Sequence, residues 1–257
     1  MPKPVLVMPM NDPQGLTFPH LKEITPLLET IFAQTIVSIP PNTARFQANS
    51  LDWLEHQPFF NVCRLPVELP VGAHFHRLYT QAAQICPPEQ ILHLAYIDRV
   101  SFALQGGFRD QFIQDIRSTH LQDLPLIFQR SKKAWESHPI NYHEIERMAT
   151  LAGELVYRKS LDFAWCHLAL QAGLLQEILP SVHNPDLSMV AEMIIQIKDR
   201  VQTRDVDWLA WEDPFILATS QCSLKKEREH SQTETRKRLG YVIPMLQAIL
   251  EDAGGAA

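Results

Sequence analysis

Short apolar runs alternate with longer segments whose apolar residues recur at helical spacing. In the first half of the chain, five runs predict strands, at residues 5–8, 35–39, 61–65, 91–97 and 124–128. The segments between them predict helices, at residues 21–32, 46–54, 72–85 and 102–116. Nearly continuous apolar strands separated by helices are typical of a parallel sheet that is covered on both faces. We therefore predict a three-layer α/β fold with a mostly parallel central sheet.

The pattern loosens after residue 131. Apolar stripes predict further helices at residues 142–157, 169–179, 189–197 and 239–250, and two shorter runs predict strands at residues 161–165 and 206–211. Residues 220–238 are rich in Ser, Gln, Lys, Arg and Glu, which predicts a solvated connection or an exposed helix. Because no repeat or sharp boundary interrupts the chain, we predict a single domain over residues 1–257.

Composition and charge narrow the class of protein. The chain of 257 residues is 46% hydrophobic, which suits one compact domain or two small ones. Its 23 basic and 29 acidic side chains give a formal charge of −6, which argues against nucleic acid as the main partner. No apolar run approaches the roughly 20 residues that cross a bilayer, so we expect no transmembrane segment and a cytoplasmic protein.

Cysteine and glycine usage excludes several kinds of site. The four cysteines form no C-x-x-C pair, which predicts reduced thiols in or near the core, at Cys63, Cys86, Cys166 and Cys222. The chain has only 9 glycines beside 19 prolines, and it contains no glycine-rich nucleotide-binding loop. Since tight phosphate-contacting loops often need glycine, this scarcity weighs against such a loop.

Polar side chains follow two of the predicted strands. In an open parallel sheet, ligands bind beyond the carboxyl ends of the strands. Asp12 lies in a polar loop after the first strand, where it either hydrogen-bonds a base or ribose or starts an Asx-Pro turn. Asp98 and Arg99 follow the fourth strand, and Asp98 either holds a divalent ion bridging a diphosphate or caps a helix.

The second half of the chain offers weaker candidates. The basic residues at 130–133 either neutralise a phosphate or form a charged turn. A histidine and acid group at residues 138–146 lacks the H-E-x-x-H spacing of a metal site. Four late acids either include a general base or form the wet face of a strand, namely Asp205, Asp207, Glu212 and Asp213.

The ordered segments resemble the nucleotide-diphospho-sugar transferase superfamily, with its GT-A or Rossmann-like fold, and in particular small bacterial glycosyltransferase-like proteins. The opening VLVMPMNDPQGLTFPHL resembles the first strand and nucleotide-facing loop of that group. GAHFHRLYTQA is similar to a later segment flanking the base, and LAYIDRVSFAL to the strand bearing an acidic D-x-D-R element. SHPINYHEIE and LDFAWCHLAL resemble a Ser-His-Pro segment and an acceptor loop. The resemblance covers most of the chain through scattered motifs.

The resemblance implies a glycosyltransferase that uses a nucleotide-activated sugar and a small acceptor. Residues 1–130 would form the nucleotide-binding half, and residues 131–257 the acceptor half and C-terminal helices. The implied cofactor is Mn²⁺ or Mg²⁺ with the nucleotide-sugar, and a homo-oligomer is left open. The implied binding residues are Asp12, Arg77, Asp98 and Arg99, with Asp98 as metal ligand, and the implied catalytic acids are Glu192 and Asp162.

Several positions depart from the family pattern and keep a second hypothesis open. Tyr96 stands where a second metal-binding acid is expected, and Val190 where an aspartate is expected. Phe163 and Trp165 replace small residues of the acceptor loop. The alternative is therefore a non-catalytic interaction protein that retains the transferase scaffold. A metal-dependent phosphatase fits less well, because Pro13 and a long loop follow Asp12.

Overall fold

The computed structural model describes residues 3–165 and 167–255. Its centre is a seven-stranded sheet in the order β3-β2-β1-β4-β6-β5-β7. The strands are β1 (Val5–Pro9), β2 (Thr35–Ile39), β3 (Phe60–Arg64), β4 (Ile91–Ala95), β5 (Leu126–Arg130), β6 (His167–Gln171) and β7 (Gln202–Val206). Strand β6 runs antiparallel to both of its neighbours, and the other strand pairs are parallel. The predicted mostly parallel sheet is confirmed.

Helices cover both faces of this sheet, and the predicted three-layer α/β fold is confirmed. One face carries α1 (Phe18–Ile31), α3 (Ala48–Glu55), α5 (Ile97–Gln105) and α6 (Arg109–Arg117). The other carries α4 (Val71–Ile85), α8 (Ile140–Tyr157), α9 (Ala172–Ile178), α10 (Met189–Ile197) and α13 (Gln232–Gly255). Shorter helices connect them, namely α2 (Pro41–Phe46), α7 (Lys132–Ser137), α11 (Asp213–Ile216) and α12 (Gln221–His230).

Two helices predicted as continuous are divided. The predicted helix at residues 102–116 is interrupted between α5 and α6 at Gly106 and Gly107. Gly107 has a φ of +94°, which L side chains rarely adopt, so the helix ends there. The predicted helix at residues 46–54 is likewise split at Gln47, which separates α2 from α3.

The strands predicted in the second half were wrong in position. Residues 161–165 form a turn, and strand β6 begins at His167. The predicted helix at 169–179 starts only at Ala172, because the preceding residues belong to β6. Residues 207–209 form a single 3-10 turn, and β7 lies before it. β7 is an edge strand with mostly exposed or half-buried side chains, so hydrophobicity did not reveal it.

The cysteines only partly match their prediction. Cys63 and Cys86 are buried free thiols, whereas Cys222 is exposed, and Cys166 lies outside the described residues. Burial raises the pKa of the Cys63 thiol to about 11. Within the described part of the chain, no helix combines the length and apolar character needed to span a membrane.

A matched pair of glycines tests the packing of α8. A Cβ at Gly153 would lie 2.1 Å from Cε2 of Phe163, so Gly153→Ala is expected to lower the free energy of unfolding by about 1–3 kcal/mol through overpacking. A Cβ at Gly240 in α13 would meet no atom within 4 Å, so Gly240→Ala is expected to raise it by about 0.5–1 kcal/mol. Urea unfolding measures both. Equal effects of the two substitutions would contradict the close contact at Gly153.

Candidate functional site

A cavity of about 400 Å³ opens at the carboxyl ends of β4, β5 and β7. Tyr96 and Asp98 follow β4 into it, Arg130 is the last residue of β5, and Glu212 and Asp213 follow the turn after β7. Side chains of α8, α12 and α13 form the opposite wall. We call this cavity the carboxyl-end cleft. It lies at the edge of the sheet where ligands bind in open α/β folds.

Asp98, Arg99 and Glu212 form a charged group on the β4 side of the cleft. Arg99 forms a buried ion pair with Glu212, and its guanidinium also donates to the carbonyl oxygen of Ala210 at 3.3 Å. The backbone N–H of Arg99 donates to Oδ1 of Asp98 at 2.9 Å. Asp98 therefore lies in the first turn of α5, beside a cation that is already paired with another carboxylate.

Burial makes two of these carboxyl groups unusually basic. Desolvation, aided by the neighbouring Asp98 and Asp213 and opposed by the Arg99 guanidinium, raises the pKa of Glu212 to about 8. Desolvation also raises the pKa of Asp98, against the same guanidinium. Carboxyl groups with such shifts in a cleft are candidates for proton transfer.

Arg130 anchors a buried ion network beneath the cleft. Its Nε and Nη2 donate to the two carboxylate oxygens of Asp162, each at 2.8 Å. Its Nη1 contacts Glu146 at 2.5 Å, and Glu146 in turn accepts from Arg238 of α13 at 2.7 Å. The guanidinium carbon lies 3.5 Å from the centre of the Trp135 ring. These contacts fix the direction of Arg130, Asp162 and Glu146.

Helices α12 and α13 supply the outer wall. The hydroxyl of Tyr142 donates to Glu234 at 2.5 Å, and Glu234 also pairs with Arg228. Each arginine lining the cleft thus has a carboxylate partner. Lys237 is exposed at the rim and forms no salt bridge with the described residues. It is the cation most available to an incoming anion.

Large side chains fill the inner wall. Trp165 is buried, and its Nε1 donates to the carbonyl oxygen of Val190 at 2.9 Å. Tyr96, Leu187 and Met245 complete the apolar lining. The positions that depart from the family pattern, Tyr96, Trp165 and Val190, therefore narrow this cleft.

The Asp12 carboxylate is engaged by its own loop. Its oxygens accept hydrogen bonds from the backbone N–H groups of Leu16 at 2.9 Å and Thr17 at 2.8 Å, and from the Thr17 hydroxyl at 2.7 Å. The N–H of Phe18, the first residue of α1, adds a contact at 3.3 Å. Asp12 is buried and lies outside the carboxyl-end cleft. The Asp12 carboxylate therefore holds the loop that leads into α1.

The remaining predicted residues divide between two places. Arg77 is exposed and lines a separate groove of about 560 Å³. Glu192 accepts from the backbone N–H groups of His183 at 2.7 Å and Asn184 at 3.0 Å, on the loop bordering that groove. Asp162 reaches the carboxyl-end cleft only through Arg130. The structure therefore brings Asp98 and Arg99 together and separates Arg77 and Glu192 from them.

Several residues of the cleft were absent from the predicted site, among them Glu212, Glu234 and Arg238. Glu212 appeared only among four late acids that either include a general base or form the wet face of a strand. Glu234 and Arg238 lay in a segment interpreted as solvated. Their spacing of four residues on one helix face was the available signal, because residues so spaced lie on the same side of a helix.

Asp98 lies in the cleft without a preformed set of metal ligands among the described residues. No group of three or more His, Cys, Asp or Glu side chains within residues 3–165 and 167–255 is arranged to hold an ion. Glu212, which also lines the cleft, is paired with Arg99. Binding of a divalent ion at Asp98 would have to break that pair or rely on oxygens of a ligand.

Comparisons with known proteins support the fold. No protein-family model matches this chain, and no curated protein matches its sequence. Among solved structures, glucosyl-3-phosphoglycerate synthase from Mycobacterium tuberculosis in complex with uridine diphosphate is similar, with a TM-score of 0.52 and 12% identity. The alignment covers 98% of this chain and 80% of that one. At this identity, the similarity shows that the chain shares the α/β fold of a glycosyltransferase.

Proposed function

We propose that this chain is a glycosyltransferase-like protein that binds a nucleoside diphosphate sugar in the carboxyl-end cleft. The observation that carries the proposal is the position of Asp98 and Arg99 after the carboxyl end of β4, where Arg99 meets Glu212 from the segment after β7. A structurally similar protein holds uridine diphosphate. A cavity of about 400 Å³ falls within the usual range of small-ligand sites.

Arginine and lysine would neutralise the diphosphate in this proposal. Lys237 offers a charge without a salt-bridge partner among the described residues, and Arg99 offers a guanidinium whose partner Glu212 is readily protonated. When Glu212 carries a proton, the Arg99 guanidinium can donate charge-assisted hydrogen bonds to phosphate oxygens. Because the overall charge of the protein is −6, the charge of a diphosphate would have to be neutralised by such nearby cations and not by a basic surface.

Burial raises the pKa of Glu212 to about 8, so this carboxyl group is mostly protonated at pH 7. In this proposal Glu212 therefore acts in binding, by leaving the Arg99 guanidinium to the diphosphate, and does not act as the general base for the acceptor hydroxyl. The acids expected from the family pattern, Glu192 and Asp162, are held by other groups. Their catalytic roles remain predictions without support from the geometry.

The pH dependence of nucleotide binding tests this arrangement. Raising the pH from 7 to 9 ionises Glu212, which ties up Arg99 and places a negative charge beside the phosphate. The affinity for uridine diphosphate, measured by calorimetric titration, is therefore expected to fall, by up to about 10-fold, equivalent to about 1.4 kcal/mol. Glu212→Gln should remove most of this dependence.

Glu234→Gln is the matched control for that titration. Glu234 also lines the cleft, but the Tyr142 hydroxyl and Arg228 hold the pKa of its carboxyl group below the ordinary value, so its charge does not change between pH 7 and 9. The control variant should retain the pH dependence of the native chain. Equal pH profiles for the two variants would contradict the role of Glu212.

The metal prediction at Asp98 is tested in the same titration. Because the described residues around Asp98 lack further ligands, we expect Mn²⁺ to change the affinity for uridine diphosphate by less than about threefold. A larger gain that disappears in Asp98→Asn would instead support the ion implied by the family resemblance.

A non-catalytic interaction protein is the second candidate. The engagement of Asp12, Asp162 and Glu192 in hydrogen bonds of the fold favours it, because each was expected to act on a ligand. Titration with uridine and guanosine diphosphates, with and without Mn²⁺, separates the two. Heat of binding supports the transferase-like proposal, and no heat with any of them would leave the second candidate.

A further inference from the structure

An apolar stripe on α8 faces away from the carboxyl-end cleft. Met148, Leu151 and Leu155 recur at helical spacing and are 45%, 45% and 70% exposed. Tyr142 and Glu146, on the other side of the same helix, are buried and line the cleft. When a helix buries one face and exposes large apolar side chains on another, the exposed face indicates a site of interaction with another surface.

Helix α13 lies alongside α8 and carries two further exposed apolar side chains. It packs along α8, and Arg238 pairs with Glu146 across their contact. Ile243 and Leu250 of α13 are 51% and 71% exposed. We call these five residues the α8–α13 surface, namely Met148, Leu151, Leu155, Ile243 and Leu250.

The size of this surface matches half of a homodimer interface. From their fractional exposures, its five residues leave roughly 500 Å² open, near the upper end of the largest apolar patch on typical monomers. A standard interface buries about 800 Å² on each partner, and about 65% of it is apolar in homodimers. The exposed apolar area is therefore close to what a stable dimer requires.

The charged residues beside the stripe are ordered so that two copies of α8 complement each other. Glu144, Arg147 and Glu154 are exposed and lie on the same side of the helix as Leu151. If two α8 helices cross antiparallel at Leu151, Arg147 of one copy meets Glu154 of the other. Arg147 and Glu154 form no salt bridge within the described residues, so their charges are available.

We propose that two copies of this chain associate through the α8–α13 surface. Helix α8 packs antiparallel against its copy across a two-fold axis at Leu151, which also brings Met148 of each copy over Leu155 of the other. Such an interface is isologous, because the same patch contacts itself. The dimer leaves the carboxyl-end cleft open on the far side of α8, so it does not depend on nucleotide binding.

Sedimentation of the full chain over about 1–100 μM protein tests the proposal, since standard-size interfaces can hold in this range. The native chain is expected to be a dimer, and Leu155→Glu to raise its dissociation constant at least about 100-fold. The matched control is Leu121→Glu, because Leu121 is 51% exposed but lies between α6 and β5. A monomeric native chain, or a dimer unaffected by Leu155→Glu, overturns the proposal and leaves the surface to another partner. Circular dichroism checks folding, and Met148→Lys replaces Leu155→Glu if that variant unfolds.

Charge reversal tests the antiparallel arrangement itself. Arg147→Glu and Glu154→Arg are each expected to weaken the dimer about 10-fold, because each places like charges across the axis. The double variant restores the attraction and should return to near-native affinity. The two residues are seven positions apart on one helix, too far to pair within a copy. Additive weakening in the double variant would overturn the proposed pairing.

Discussion

Replacing Arg130 with methionine is expected to lower the free energy of unfolding by about 3–5 kcal/mol, because it removes the partner of two buried carboxylates. Asp162 is held by two hydrogen bonds from Arg130, and Glu146 by a third. The pKa of the Glu146 carboxyl is lowered to about 2, since the charges of Arg130 and Arg238 outweigh desolvation. Urea unfolding at pH 7 measures the loss.

Two further substitutions show whether the stability depends on the positive charge of Arg130 or on its paired hydrogen bonds, and whether burial of the ion pair matters. Arg130→Lys keeps a positive charge but cannot form the paired hydrogen bonds to Asp162, so an intermediate loss is expected. Lys133→Met removes a cation on a neighbouring helix whose exposed pair with Asp207 spans 3.3 Å, and this change should cost less than about 1 kcal/mol. If Arg130→Met costs no more than Lys133→Met, the buried network does not stabilise the fold.

Acidification from pH 7 to 5 is expected to lower the free energy of unfolding by about 4 kcal/mol. Burial lowers the pKa of His74 to about 4 and that of His93 to about 3, and it holds the pKa values of His138 and His167 well below the ordinary range. In the unfolded chain these imidazoles bind protons below about pH 6.5. The stability that these neutral imidazoles contribute is therefore fully present above pH 6.5. It is lost as the pH falls from 6.5 toward their pKa values in the folded protein.

The expected net loss includes an opposing carboxyl group. His74 and His93 would each cost about 2 kcal/mol over this range, and His138 and His167 add to the loss. Glu212, whose folded pKa is raised to about 8, binds its proton more tightly in the folded state, so it stabilises the protein as the pH falls. Asp98 acts in the same direction, since burial raises its pKa.

Substitution of one histidine measures how much that residue contributes to the change of the free energy of unfolding with pH. His93→Gln is expected to reduce the slope by about 1.4 kcal/mol per pH unit between pH 6 and 5. His183→Gln is the control, because that imidazole is exposed. His93 lies beside His167, with Nε2 2.8 Å from Nδ1 of its neighbour, so His74→Asn provides an independent variant outside this pair. Unchanged slopes in both buried-site variants would contradict the assignment.

The strands that could be predicted are those whose two faces are both buried. β1, β2 and β4 are buried at every position, and their sequences are therefore mostly apolar. β7 could not be found this way, because hydrogen bonds to β5 hold it in the sheet while most of its side chains remain in contact with solvent. β6 was assigned in part to a helix, because an apolar run by itself does not distinguish a strand from a buried helix.

The candidate site was predicted only where its residues directly follow a strand. Asp98 and Arg99 come three and four residues after the end of β4, and the order of elements alone places them at the carboxyl edge of the sheet. Arg77 and Glu192 were placed by family resemblance, and the structure puts them beside a different groove. Motif similarity does not specify which cavity a side chain faces.

The alternation of apolar runs and amphipathic segments was sufficient to define the class of fold, because burial on both faces of a sheet constrains every residue of a strand. The chemistry of the cleft depended on contacts between distant parts of the chain. Glu212 meets Arg99, and Arg238 meets Glu146, across separations of 113 and 92 residues. The pKa of each carboxyl group depends on how deeply folding buries that group and on which charged residue folding brings beside it. Neither can be predicted from the neighbouring residues in the sequence.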